Sequence, residues 1–141
     1  MLNTDYLMDI KAVDAIKKEA LLINEYRDIT FLNEIMLLKK PEEVLIINDQ
    51  QEIIGIITRN DLAKSLARGV DWKTPVKDIM TRDVVFIPPE MSLLEARTYM
   101  RKLGINRAPV ISKDNELLGL ITGKSICDGF SGQLEKVVAF Q

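Results

Sequence analysis

Gly55-Ile56-Ile57-Thr58 and Gly119-Leu120-Ile121-Thr122 are one phrase written twice, 64 positions apart. The offset holds well beyond the phrase. Asp14 falls on Asp78, Ile23 on Ile87, Met36 on Met100, Ile47 on Ile111 and Glu52 on Glu116, with no gap needed. Apolar runs keep the same register: Ala20 to Ile23 with Val84 to Ile87, and Leu45 to Ile47 with Pro109 to Ile111. One register sustained over most of the chain is the mark of an internal duplication.

The second copy shows its elements best. Val84-Val85-Phe86-Ile87 is a short β-branched apolar run stopped by Pro88-Pro89, which predicts a buried strand. Ser92-Leu93-Leu94-Glu95 has the spacing of a capping box and opens a helix with Leu93, Ala96, Met100 and Leu103 on one face, ended by Gly104. Pro109 to Ile111 and Leu117 to Thr122 predict strands around the turn Lys113-Asp114-Asn115, and a short helix follows from Gly123. The first copy repeats the order. Ala20 to Ile23 is a strand, Asp28 caps a helix to about Lys40, Val44 to Ile47 and Ile53 to Thr58 form a hairpin, and Arg59 to Arg68 is a helix before Gly69.

Each copy is therefore strand–helix–strand–strand–helix, an α+β (α/β-like) fold class. Short helices are expected ahead of each copy, from about Thr4 to Lys18 and from Thr74 to Met80, the latter with Thr74 as N-cap and Pro75 at the first helical position. One such repeat cannot bury both faces of a three-stranded sheet, so two copies are expected to pack pseudo-symmetrically with a cleft between them. The division is 1–69, 70–130 and a tail 131–141.

Composition narrows the chemistry. The 141 residues carry a formal net charge of −2, which gives no general case for nucleic acid or an anionic membrane. No apolar run is long enough to span a bilayer, and the start lacks the pattern of a signal peptide. The single cysteine, Cys127, excludes an internal disulfide and agrees with a cytoplasmic setting; it reads as a packed helix residue. Met80 and Met100 read as core. The absence of histidine removes Ser-His and Cys-His catalysis and His-based metal sites together. The expectation is a protein that is not an enzyme and holds no catalytic cofactor or metal.

The ordered, duplicated set resembles the CBS domain, named after cystathionine β-synthase, and two copies resemble the tandem CBS module. The stretches that carry the resemblance are Asp78-Ile79-Met80-Thr81, Val84-Val85, Gly104-Ile105-Asn106-Arg107-Ala108-Pro109-Val110-Ile111 and Gly119-Leu120-Ile121-Thr122 in the second copy. In the first they are Gly55-Ile56-Ile57-Thr58-Arg59-Asn60-Asp61-Leu62. The resemblance implies an adenosine ligand (AMP, ADP, ATP or S-adenosylmethionine) between paired repeats, and regulation of a partner protein. It implies that Thr58 supplies a hydroxyl near phosphate and Asp61 a carboxylate to the ribose hydroxyls. Met80, Thr81, Asp83 and Val84, with Asn106, Arg107, Ala108 and Pro109, would come from the other copy.

The residue chemistry agrees. A strand that turns into a helix at Thr58 presents free N–H groups and the positive end of the helix dipole, which favour an anion. Arg107 offers a fork of donors to phosphate. An N-cap threonine followed by a first-turn acid is equally an ordinary helix start.

The counterpart site departs from the pattern. Ser125 stands where an aspartate is expected, Leu45 where the other copy has Pro109, and Glu43 where it has Arg107. Thr122, Lys124 and Ser125 therefore form the weaker second site. The first-copy helix, with Phe31, Leu32, Ile35, Met36, Leu37 and Leu38, is apolar nearly all round and needs cover on two sides, which predicts a homodimer. A ligand-sensing module and a ligand-free dimerisation module both remain open at this point. An enzyme such as a metal-dependent phosphatase lacks an acidic cluster, since Asp49, Glu52, Asp114 and Glu116 fall on turns. Nucleic-acid binding is disfavoured by the acidic balance and few aromatics.

Overall fold

The repeat spacing appears in the backbone as matched strands, matched caps and matched exceptions. The computed structural model describes residues 9–139. In the first copy, β1 (Leu22–Asn24) pairs in parallel with β2 (Glu43–Ile47), and β2 pairs antiparallel with β3 (Ile53–Thr58). Helix α1 (Ile29–Lys39) connects the parallel strands and α2 (Arg59–Ala67) follows β3. In the second copy α3 (Leu93–Leu103) precedes an antiparallel pair, β4 (Arg107–Ile111) and β5 (Leu117–Thr122), and α4 (Gly123–Ala139) follows. This is a mixed α+β fold.

Local signals explain most boundaries. Asp28 accepts from the Phe31 N–H at 3.0 Å and opens α1; Ser92, at the equivalent position, accepts from the Glu95 N–H at 3.1 Å and opens α3. The expected capping box at Ser92 is half formed. The Leu93 N–H donates to the Ile10 carbonyl at 2.7 Å, so the helix start is tied to tertiary neighbours. Both helices end on a left-handed residue, Lys40 and Gly104. Both hairpins use a left-handed fourth residue, Gln51 and Asn115. The buried side chains form one core per unit, Ile23, Ile29, Leu32, Ile46 and Ile57 in the first and Ile87, Leu93, Ala96, Val110 and Ile121 in the second. Each fully buried Ile or Leu contributes about 1.5–3 kcal/mol of burial free energy.

The chain forms two compact units. One is Ala20–Val84; the other joins the described residues before 20 to Val85 and beyond. The segment ahead of each copy thus belongs, by contact, to the other copy's unit, whereas the 1–69 and 70–130 division counts it with its own. The backbone shows why. Ile56 and Thr81 exchange both hydrogen bonds, at 3.1 and 2.9 Å, and Lys17 and Leu120 do the same at 2.7 and 2.9 Å. These are the same bond pair 64 residues apart. Each lies beside a glycine with no room for a side chain: a Cβ on Gly55 would overlap Met80 Sδ, and one on Gly119 would sit 2.7 Å from the Lys17 carbonyl oxygen.

These partners overturn two expected helices. Over the described part of the Thr4–Lys18 segment, residues 9–18, there is no α-helix; a 3₁₀ turn, Ala12–Ala15, stands there because Ala12 and Val13 donate to the carbonyls of Met91 and Pro89 and Lys17 pairs with Leu120. Residues 4–8 lie outside the described residues. The Thr74–Met80 segment likewise contracts to Val76–Asp78 with Pro75, not Thr74, at the cap position, since Val76 and Lys77 donate to Arg27 and Glu25.

The strand expected at Val84–Ile87 is also absent as a strand; Ile87 alone bridges to Val110. In the first copy the ladder is extended by the Leu45 N–H donating to Leu21 O and the Glu25 N–H donating to Ile47 O. The equivalent donors are Pro109 and Pro89, which have no N–H. Only the bonds made by Ile87 survive, at 2.9 and 3.3 Å. Two smaller corrections concern α4: it is 17 residues long rather than short, and Cys127 on it is exposed rather than packed.

Candidate functional site

Thr58 ends β3 with extended backbone and caps α2. Its hydroxyl oxygen accepts from the Asp61 N–H at 3.1 Å, and Asp61 Oδ2 accepts from the Thr58 N–H at 2.9 Å. This reciprocal box locks the carboxylate at the helix N-terminus, where the dipole favours its charge. It uses one carboxylate oxygen and only the acceptor side of the hydroxyl. Asp61 Oδ1 and the Thr58 O–H remain available, the first to accept from a diol and the second to donate to an anion.

The second copy builds the same box from different atoms. Thr122 Oγ1 accepts from the Ser125 N–H at 3.0 Å, and Ser125 Oγ accepts from the Thr122 N–H at 2.8 Å. Ser125 also donates to the Thr122 carbonyl at 3.1 Å. Its hydroxyl is therefore spent as both donor and acceptor, and no carboxylate stands there. The difference between the copies is a difference of chemistry within one geometry.

Strand register adds residues that sequence reading placed differently. Glu43 lies directly across from Thr58, and Arg107 directly across from Thr122. Directly opposed residues share a face of the sheet. The end of the first copy therefore gathers two carboxylates, Glu43 and Asp61. The end of the second sets Arg107 across from a neutral hydroxyl pair, Thr122 and Ser125. Glu43 is 2% exposed. Hairpin spacing around Asn48-Asp49-Gln50 was the signal that fixes this pairing.

Arg59 was not singled out by sequence. Its Nε donates to the Pro41 carbonyl at 2.6 Å and its Nη2 to the Lys40 carbonyl, which pins the loop before β2. The backbone N–H of Arg59 donates to Glu42 O, as that of Gly123 does to Asn106 O. Gly123 has no side chain to repeat the clamp.

Thr58, Asp61, Met80, Thr81, Asp83 and Val84 all belong to the Ala20–Val84 unit. Thr81 and Asp83 are exposed, Met80 and Val84 half-buried, and Asp83 has a left-handed backbone, φ +59°. Met80 packs on Gly55 and the core, as a core reading predicts. Asn106, Arg107, Ala108, Pro109, Thr122, Lys124 and Ser125 belong to the other unit. Asn106 and Lys124 are exposed and Arg107 half-buried, whereas Ala108 and Pro109 are buried in β4. Among the described residues no group of three or more acidic or cysteine side chains could hold a metal ion, and no helix is long and apolar enough to cross a membrane.

The family model described as CBS domain matches twice, over residues 13–68 and 76–132. The inosine-5'-monophosphate dehydrogenase of Korarchaeum cryptofilum is 37% identical over 76 residues, 54% of this chain; the chain spans 15% of that enzyme's length. The CBS domain pair of protein MJ0100, solved in complex with 5'-methylthioadenosine and S-adenosyl-L-methionine, has 24% identity and a TM-score of 0.74, covering 87% of this chain and 97% of that one. CBSX2, solved in complex with AMP, has 18% identity and a TM-score of 0.72, covering 89% and 98%.

Proposed function

Because the chain belongs to the CBS-domain family, with two copies in tandem, we propose that it is a regulatory module that binds an adenosine ligand and catalyses nothing itself. The ligand is an AMP-, ADP- or ATP-type nucleotide, with S-adenosylmethionine as the alternative within the same chemistry. The observation that carries the reading is the Thr58–Asp61 box, which holds a carboxylate rigidly while leaving Oδ1 to accept from ribose hydroxyls. Acidic residues serve ribose in this way in dinucleotide folds. The MJ0100 pair and CBSX2, which share the fold, were solved with adenosine ligands.

Glu43 across from Thr58 opposes phosphate at that position, so we assign the ribose to Asp61; Arg107 is a separate proposed phosphate contact by virtue of its fork of donors. Thr81, Asp83, Val84, Asn106 and the backbone of Ala108 and Pro109 complete the proposed contacts. The Thr122, Lys124 and Ser125 set is the poorer site because the Ser125 hydroxyl is already paired and no carboxylate stands there. The regulated partner is a protein whose affinity for this module changes with ligand occupancy, and the setting is the cytoplasm. Calorimetric titration with AMP, ADP, ATP and S-adenosylmethionine tests the reading; heat of binding from at least one supports it, and none at millimolar concentration removes it.

A second reading has its own observation. On α1, Ile29, Leu32 and Met36 are buried, while Leu37 and Leu38 are 66% and 77% exposed. That face favours a homodimer, whether or not a ligand binds. Light scattering across a concentration series measures it directly.

A further inference from the structure

The two copies are each other's control, and they differ at one more place. In the first copy the gap between the end of β1 and the hairpin turn is closed. Asn24 Nδ2 donates to Asp49 Oδ1 at 3.0 Å, and the Glu25 N–H donates to the Ile47 carbonyl at 2.9 Å. The equivalent residues in the second copy are Pro88, Lys113, Pro89 and Ile111. Pro88 has no amide to reach across, Lys113 replaces the acceptor with a cation, and Pro89 has no N–H for the Ile111 carbonyl. The hairpins themselves match: Ser112 Oγ accepts from the Glu116 N–H at 3.1 Å as Asn48 Oδ1 accepts from the Glu52 N–H at 2.9 Å. The closure has been removed while the frame has been kept.

A cavity of about 360 Å³ opens at this place, within one compact unit. Its walls are Phe86, Pro88, Pro89 and Ile111, and Glu90 and Lys113, of opposite charge, are among the residues that line it. The volume is at the small end of the range for ligand pockets, roughly 300–1,000 Å³. An occupant needs an apolar body for the walls, an N–H donor for the Ile111 carbonyl and Glu90, and an anionic group for Lys113. We propose that this cavity binds a free apolar α-amino acid, with its ammonium on the Ile111 carbonyl and Glu90 and its carboxylate on Lys113. The site is separate from the one assigned to the adenosine ligand and does not depend on it.

The test is an amide-resolved NMR titration of the whole protein with L-leucine and L-phenylalanine, run beside leucinamide and N-acetyl-leucine. The proposal expects shifts at Phe86, Ile111 and Lys113 with either amino acid. It expects affinity about ten-fold or more weaker for leucinamide, which lacks the carboxylate, and for N-acetyl-leucine, which lacks the ammonium, as for loss of a charge-assisted hydrogen bond. K113M should weaken leucine and leave leucinamide unchanged. The P88N/K113D double variant, which reinstates the Asn24–Asp49 pair of the first copy, should abolish binding. The absence of shifts at millimolar amino acid, or equal binding of leucine and both analogues to the unaltered protein, overturns the proposal.

Discussion

Thr58 and Asp61 cap each other, amide to carboxylate and amide to hydroxyl, at 2.9 and 3.1 Å. The relationship makes Asp61 structural and functional at once, and the two roles are separable by mutation. Thr58→Ala removes the acceptor for the Asp61 N–H and should lower stability by about 1 kcal/mol, the usual worth of an N-cap. Chemical denaturation measures it. An unchanged midpoint would mean the box does not hold α2 in solution.

Ser125→Asp converts the second box to the chemistry of the first. Aspartate still accepts from the Thr122 N–H and gains the helix dipole, but loses the donation to the Thr122 carbonyl, so stability should stay within about 1 kcal/mol. With Lys124 next in sequence to it, the new carboxylate should turn a weak site into a competent one. Calorimetric stoichiometry should rise from a single site to a pair.

Gly119→Ala should be more damaging than Gly55→Ala. At Gly119 the added carbon meets the Lys17 carbonyl oxygen, which is fixed by its exchange of bonds with Leu120. At Gly55 it meets the thioether of Met80, which moves more easily. Overpacking costs about 1–3 kcal/mol, with Gly119→Ala at or above the upper end. Thermal melts of both variants check the order.

Leu37→Arg with Leu38→Lys gives α1 the residues that α3 carries at the equivalent positions, Arg101 and Lys102. Both leucines are exposed, so the fold should keep its melting temperature once dissociated. Light scattering should show a dimer become a monomer. A monomeric unaltered protein at high concentration contradicts the dimer.

Much of this was legible in the sequence. The 64-residue register fixed the hairpins to within two residues, placed Asp28 and Ser92 as caps, and singled out Thr58, Asp61 and Ser125 as the informative positions. What it missed depended on partners remote in sequence. Residues 9–18 look helical by pattern, yet Lys17 takes its hydrogen bonds from Leu120, more than one hundred residues away. Val84–Ile87 has strand composition, but a ladder needs donors from the neighbouring strand, and Pro109 supplies none. The side of the site to which Glu43 and Arg107 belong is a matter of register, which local composition does not express.

The central claim is that Asp61 binds ribose through the oxygen its cap leaves over. Asp61→Asn tests it most directly, because the amide oxygen can still accept from the Thr58 N–H and preserve the box while the charge is lost. Calorimetric titration of the tightest-binding adenosine ligand into the variant should give an affinity about 10–100-fold weaker, as for one hydrogen bond to a charged group, with the thermal melt close to that of the unaltered protein. Equal affinity in Asp61→Asn and the unaltered protein would contradict the account.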